Sequence, residues 1–219
     1  MFDRLTPLVK NLLLVNVIIH VVSMMLPREF VFSQFAFFNP LLPNTADIIN
    51  PNFKPWQFIS YMFLHGGFNH LFSNMFALFI FGPALEAFMG SKKFFVYYML
   101  TGIGAAFLNT TLNFYEMSQM MVDSEQYWRE AVTPMVGASG AIFGILMAFG
   151  FLFPNVEMML LFFPFPIKAK YFVTMYGVFE LIQGTAGLES GIAHFAHLGG
   201  LLTGFILLKF FGFGKRFYH

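Results

Sequence analysis

The chain has 219 residues, of which 58% are apolar, 11% are charged and 34 are phenylalanine, with a formal net charge of +1. A soluble domain carries about 25% charged residues to cover its surface, so this composition requires apolar surface facing lipid, and the near-neutral balance gives no electrostatic handle for nucleic acid. The absence of cysteine excludes disulfides, thiolate metal ligands and a cysteine nucleophile.

Taken in order, the first apolar run covers residues 5–26. It could serve as a signal sequence, but Pro27-Arg28-Glu29 follows it in place of a small-residue cleavage site, so it is expected to remain as the first membrane helix. Residues 27–56 change character. Pro27, Pro40, Pro43, Pro51 and Pro55 break helices, while Phe30, Phe32, Phe35, Phe37 and Phe38 keep the stretch greasy up to Trp56. This pattern fits an interfacial loop half sunk in the headgroup layer.

The second span is expected over 69–86, with Asn69 as a candidate cap and Gly82-Pro83 weakening the inner end. A third is expected over 94–112, then a polar, acidic loop over 113–133 and a fourth span over 135–153. Pro154, Pro164 and Pro166 forbid a regular helix between them, so an extended interfacial segment is expected there. The fifth and sixth spans fall over 168–184 and 191–211, ahead of a basic tail with Lys215 and Arg216.

Lys10, Lys92 with Lys93, Lys168 with Lys170, and Lys215 with Arg216 all flank one side of such a six-span chain. By the positive-inside rule both termini are then cytoplasmic. Spans two, four and six run from outside to inside. His70 and Ser139 fall in the first turn of their spans and His197 about two turns into its own, within about 10 Å of the outer boundary at 1.5 Å rise per residue. Asn74 shares the face of His70 one turn deeper. Polar side chains buried in lipid are costly, so four of them at one depth point to function.

Their chemistry is coherent. A serine hydroxyl needs an adjacent base, most often histidine, and an oxyanion needs fixed donors, which a helix N-terminus at Ser139 and the side chains of His70 and Asn74 can supply. Gly137 and Gly140 let a substrate backbone approach Ser139. Gly140 and Gly144, facing Gly200 and Gly204, form small-residue faces that let two helices close up. Each residue has a plainer reading. A G-x-S-G string arises by chance in about one such chain in ten, a helix serine can bond its own turn, and His70 and Asn74 can be structural. His194 is a rival base, His65 reads as a loop histidine, and Glu86 reads as a structural anchor. No zinc-protease helix motif is present, and no metal or other cofactor is expected.

His65-x4-His70-x3-Asn74, Gly137-Ala138-Ser139-Gly140 and Ala196-His197-x2-Gly200-x3-Gly204, in this order and at these spans, resemble the rhomboid intramembrane serine proteases over about residues 5–211. The resemblance, closest to the bacterial six-helix type, implies an all-α, six-transmembrane-helix bundle with an interfacial first loop, forming one catalytic domain in a bacterial inner membrane. It implies a Ser139–His197 dyad without an acid, open to the outer face, with oxyanion stabilisation by His70, Asn74 and the Ser139 amide. The substrate is then a transmembrane protein in the bilayer. The resemblance also favours His197 over His194, because only His197 has glycines at +3 and +7. Two positions depart from the common pattern. Phe143 stands where a tyrosine often packs on the histidine, keeping the stack without the hydroxyl, and Gln57 stands where an arginine is frequent. A catalytically inert escort and a proton-relay transporter are the rival classes. Retention of Ser139 and His197 weighs against the first. The lack of repeats, with Glu180 the one candidate intramembrane carboxylate, weighs against the second.

Overall fold

The computed structural model describes residues 5–160, 163–186 and 194–211. It is a helical bundle: α1 (Pro7–Met25), α2 (Arg28–Phe35), the short α3 (Gln57–Ser60), α4 (Phe68–Met89), α5 (Ser91–Ser118), α6 (Glu125–Val132), α7 (Ser139–Leu152), α8 (Ala169–Ala186) and α9 (His194–Phe210). Helices α1, α4 and α5 are long and apolar enough to cross a membrane, and α7 and α9 are shorter apolar helices. Leu14, Val17, Ile18, Val21 and Val22 of α1 are exposed, whereas Asn16 and His20 of the same helix are buried. A helix that turns its apolar side outward and its polar side inward is solvated by lipid.

Several boundaries differ from expectation for local physical reasons. Helix α4 starts after an extended Gly67 with no side-chain cap, so Asn69 lies inside its first turn, and α4 continues through Pro83 to Met89. Neighbouring helices support a proline-containing turn in a bilayer. The third helix extends past residue 112 to Ser118, and the acidic loop holds α6, capped by Ser124 Oγ accepting from Tyr127 N at 3.2 Å. The proline-rich stretch after α7 pairs with itself. Strands β1 (Glu157–Leu160) and β2 (Phe163–Lys168) run antiparallel with Glu157 opposite Lys168 and Met158 opposite Ile167. A two-stranded ribbon leaves each strand an edge where proline needs no partner. The start of the sixth span and the basic tail lie outside the described residues.

Two buried polar side chains join distant parts of the bundle. Glu86, 3% exposed, accepts from Leu8 N at 3.1 Å, Val9 N at 2.9 Å and Ser91 Oγ at 2.7 Å. Its carboxylate thus serves the free N–H groups at the start of α1, where the helix dipole favours an anion, and ties α1 to α4.

Gln57, fully buried, does the same for the first loop. Its Oε1 accepts from Lys54 N at 3.1 Å and Phe38 N at 3.4 Å, and its Nε2 donates to Asn52 O at 3.1 Å and Ser33 O at 3.4 Å. Glutamine offers both an acceptor and donors to a loop whose backbone leaves both kinds unpaired, so this position holds the loop without a cation. The loop in turn holds the approach to α7, because Phe37 and Met135 exchange backbone hydrogen bonds of 2.9 and 2.8 Å. Gln57→Ala is therefore expected to destabilise the fold by about 2 kcal/mol, the cost of leaving buried backbone groups unpaired. Thermal unfolding of the purified protein in detergent measures it, and an unchanged midpoint would refute the pinning role.

Candidate active site

Helices α5 and α7 pack most intimately on α9. In lipid no hydrophobic force drives helices together, so this closeness depends on small residues. A Cβ added at Gly200 would run into the carbonyl of Gly140, and one at Gly140 would meet the Ala105 side chain. One added at Gly204 would lie 2.5 Å from Tyr97 Oη and 3.2 Å from Gly144 Cα. The Tyr97 hydroxyl donates to Gly144 O at 2.7 Å, which fixes α5 to α7 at the same level.

That contact brings the two expected residues together. His197 Nε2 lies 2.9 Å from Ser139 Oγ. Phe143 stacks on the His197 ring at 4.2 Å between centroids and 8° between planes, and Tyr176 of α8 stacks on the other side of Phe143 at 5.0 Å and 28°. A parallel stack of this kind stabilises by about 1 kcal/mol and holds the imidazole plane. Ser139 is the first residue of α7, and the first helical bond runs from Ile142 N to Ala138 O at 3.0 Å. The amides of Ser139, Gly140 and Ala141 therefore precede the intrahelical ladder, where they can serve a developing anion.

Gly137 adopts φ +120°, a backbone that side chains rarely tolerate, and its amide donates to Tyr61 O at 2.9 Å. A Cβ there would lie 2.6 Å from both Cε1 and Nε2 of His70, so glycine lets the His70 ring sit against the backbone leading into Ser139. The Nδ1 of His70 accepts a long bond from Gly66 N at 3.4 Å, which assigns the ring proton to Nε2 and turns a donor toward Gly137. Asn74 is buried, and its Nδ2 donates to His70 O at 2.8 Å, one turn back on its own helix. One hydrogen of that amide is thus already engaged. His65 is buried beside the ring of His70 at 5.2 Å and that of His20 at 6.4 Å.

Sequence reasoning gave His197 no acid, and here the structure adds a residue. Glu180 of α8, 3% exposed, places Oε2 2.7 Å from Nδ1 of His194 and 2.9 Å from Nδ1 of His197. The His194 contact has hydrogen-bond geometry, whereas the His197 contact has the distance of an ion pair without the alignment of a hydrogen bond. The available signal was the cost of an intramembrane carboxylate itself. Among the described residues, Glu180, His194 and His197 are the one trio whose ligand atoms lie close enough, within 4.8 Å, to hold a metal ion. Two ligand atoms on a tetrahedral zinc with bonds of about 2.0–2.1 Å stand about 3.3 Å apart. The observed oxygen–nitrogen separations of 2.7 and 2.9 Å are shorter, as for a carboxylate in direct contact with two imidazoles. An apolar cavity of about 460 Å³, lined by Met147, Val173, Gly177, Leu198, Leu201 and Phe205 among others, lies deeper along α7 than Ser139.

An apolar bundle with a serine at the mouth of α7 and a histidine of α9 within hydrogen-bond distance of it defines a membrane protein with a serine and a histidine paired among its helices. Residues 52–213 match the model of the Rhomboid domain, and the chain belongs to the rhomboid family. It is 33% identical over 166 residues to Rhomboid protease AarA of Providencia stuartii, covering 69% of this chain and 54% of that protein. It is also 33% identical over 142 residues to the mitochondrial Rhomboid protein 1 of Saccharomyces cerevisiae, covering 65% of this chain and 38% of that protein. To the chloroplastic Rhomboid-like protein 11 of Arabidopsis thaliana it is 32% identical over 172 residues, covering 72% of this chain and 53% of that protein. The chain thus spans about half the length of these relatives or less.

Proposed function

We propose that this chain is an intramembrane serine endopeptidase that hydrolyses peptide bonds in or near the transmembrane segments of membrane proteins. The observation that carries the reading is the 2.9 Å bond between Ser139 Oγ and His197 Nε2 at the N-terminus of α7 inside an apolar bundle. Ser139 attacks the scissile carbonyl carbon as His197 Nε2 takes the hydroxyl proton. The same nitrogen then returns that proton to the leaving amine, and water releases the acyl group by the reverse sequence. The oxyanion is met by the free amide of Ser139 and by His70, whose Nε2–H faces Gly137, with Asn74 contributing its remaining amide hydrogen. This chemistry needs no cofactor.

The basic flanks favour cytoplasmic termini, and in that orientation the N-terminal ends of α4, α7 and α9 face outward and water reaches Ser139 from the outer face. The reading extends to a six-span rhomboid domain in a bacterial inner membrane, which the resemblance to the bacterial type supports. The test is covalent. A fluorophosphonate probe added to the folded protein in detergent is expected to form one adduct, mapped by mass spectrometry to Ser139, and to block cleavage of a model transmembrane substrate. An adduct on another serine, or none on the folded protein, would refute the assignment.

A further inference from the structure

We infer that Glu180 of α8 is the positioning residue of His197, so that the site works as a serine–histidine–glutamate relay clamped by His194 rather than as a bare pair. This rests on the reading of Ser139 and His197 as nucleophile and base.

The proton positions follow from the contacts. To accept from Ser139 Oγ, His197 Nε2 must be unprotonated, so the neutral ring carries its hydrogen on Nδ1. That nitrogen is the one 2.9 Å from Glu180 Oε2. The contact is off the hydrogen-bond direction, so its main strength is charge on charge and grows when His197 gains the serine proton and becomes an imidazolium. A charge that forms only during reaction, beside a fixed carboxylate in a site of low dielectric, is stabilised where it raises kcat and not where it tightens substrate binding.

His194 holds the carboxylate in place. Its Nδ1–H donates to the same Oε2 at 2.7 Å with good alignment, while its Nε2 is buried without a hydrogen-bond partner among the described residues. The ring is therefore a donor directed at Glu180. The rival base thus becomes the clamp, with its one proton engaged away from Ser139. Phe143 supplies the other restraint by holding the plane of the His197 ring. Through the cycle Glu180 stays ionised and the Nδ1 hydrogen stays on His197. The only proton that travels goes from Ser139 Oγ to His197 Nε2 and on to the leaving nitrogen.

The test uses the full chain reconstituted in vesicles with a fluorogenic transmembrane substrate. Glu180→Gln keeps the shape and removes the charge. It is expected to lower kcat about 100-fold with KM unchanged, less than the about 10⁴-fold lost when a hydrogen-bonded carboxylate behind a catalytic histidine is neutralised, because this contact lacks that alignment. Glu180→Asp should recover kcat to within about tenfold of the parent chain. Where Glu180→Gln does not fold, His194→Ala carries the test, with kcat lowered about tenfold at constant KM. A parent-like kcat in these variants, alongside a silent Ser139→Ala, would overturn the role of Glu180 and leave the Ser139–His197 pair standing. Cleavage by Ser139→Ala at the parent rate would overturn the protease reading itself, and the relay with it.

Discussion

Ser139→Ala, His197→Ala and the double variant are expected to fall to the same residual cleavage rate, about 10⁴-fold or more below the parent chain. The reason lies in the single bond that joins them. Without the imidazole the hydroxyl keeps its proton and is a weak nucleophile, and without the hydroxyl the imidazole has nothing to activate. Either loss removes the same step, so the second loss costs nothing further. What should survive in all three is the proposed oxyanion site at the start of α7, which would still favour attack by water. Residues acting independently would instead give losses that multiply. The measurement is steady-state cleavage of a transmembrane substrate in vesicles, with thermal unfolding recorded in parallel. His197→Ala also removes the ring stacked on Phe143 and should lose about 1 kcal/mol of stability, whereas Ser139→Ala should lose less. A double variant far slower than both single variants, or a single variant near the parent rate, would refute the coupling.

The parts of the site legible in the sequence were those tied to a local rule. Gly137 and Gly140 announced Ser139 because a serine between glycines at a helix mouth has free amides and room around it. The family resemblance favoured His197 over His194, because only His197 has glycines at +3 and +7, Gly200 and Gly204. Phe143 was expected to stack, and it does. The parts that were not legible depend on how one helix is rotated against another. Nearly every face of α8 is apolar, with Tyr171, Met175, Val178, Phe179, Leu181 and Ile182 all exposed. Periodicity therefore could not tell whether Glu180 turns toward lipid or toward His197. Gln57 was unreadable for a related reason, since its four partners are backbone groups of α2 and of the irregular stretch after it that only the folded chain brings together. The prolines predicted an extended segment after α7, but the hairpin over β1 and β2 needed a register between two short strands. Asn74 was expected as an oxyanion donor or a structural residue, and the sequence did not show that one of its amide hydrogens bonds His70 O in its own turn.

Gly200→Ala is expected to lower kcat about 10²- to 10³-fold, the cost of misplacing two reacting groups by about 1 Å, and to destabilise the fold by about 1–3 kcal/mol through overpacking. The added methyl group meets the carbonyl of Gly140, and both partners are backbone. No side chain can swing aside, so α7 and α9 must part. Gly200 lies one turn from His197 and Gly140 is next to Ser139, so the separation falls on the 2.9 Å bond itself. Gly204→Ala makes the instructive comparison. Its methyl group would meet the Tyr97 hydroxyl at 2.5 Å and Gly144 Cα at 3.2 Å, one turn further from the pair. Part of that strain can be relieved by moving the tyrosine, at the loss of its 2.7 Å bond to Gly144 O. Gly204→Ala should therefore lose stability to a similar degree but activity by only about tenfold. Unfolding midpoints and kcat measured for both variants separate the two effects. Equal loss of activity in the pair would mean that these glycines act through general packing. A Gly200→Ala chain that cleaves at the parent rate would mean that the close approach of α7 and α9 does not set the distance from His197 to Ser139.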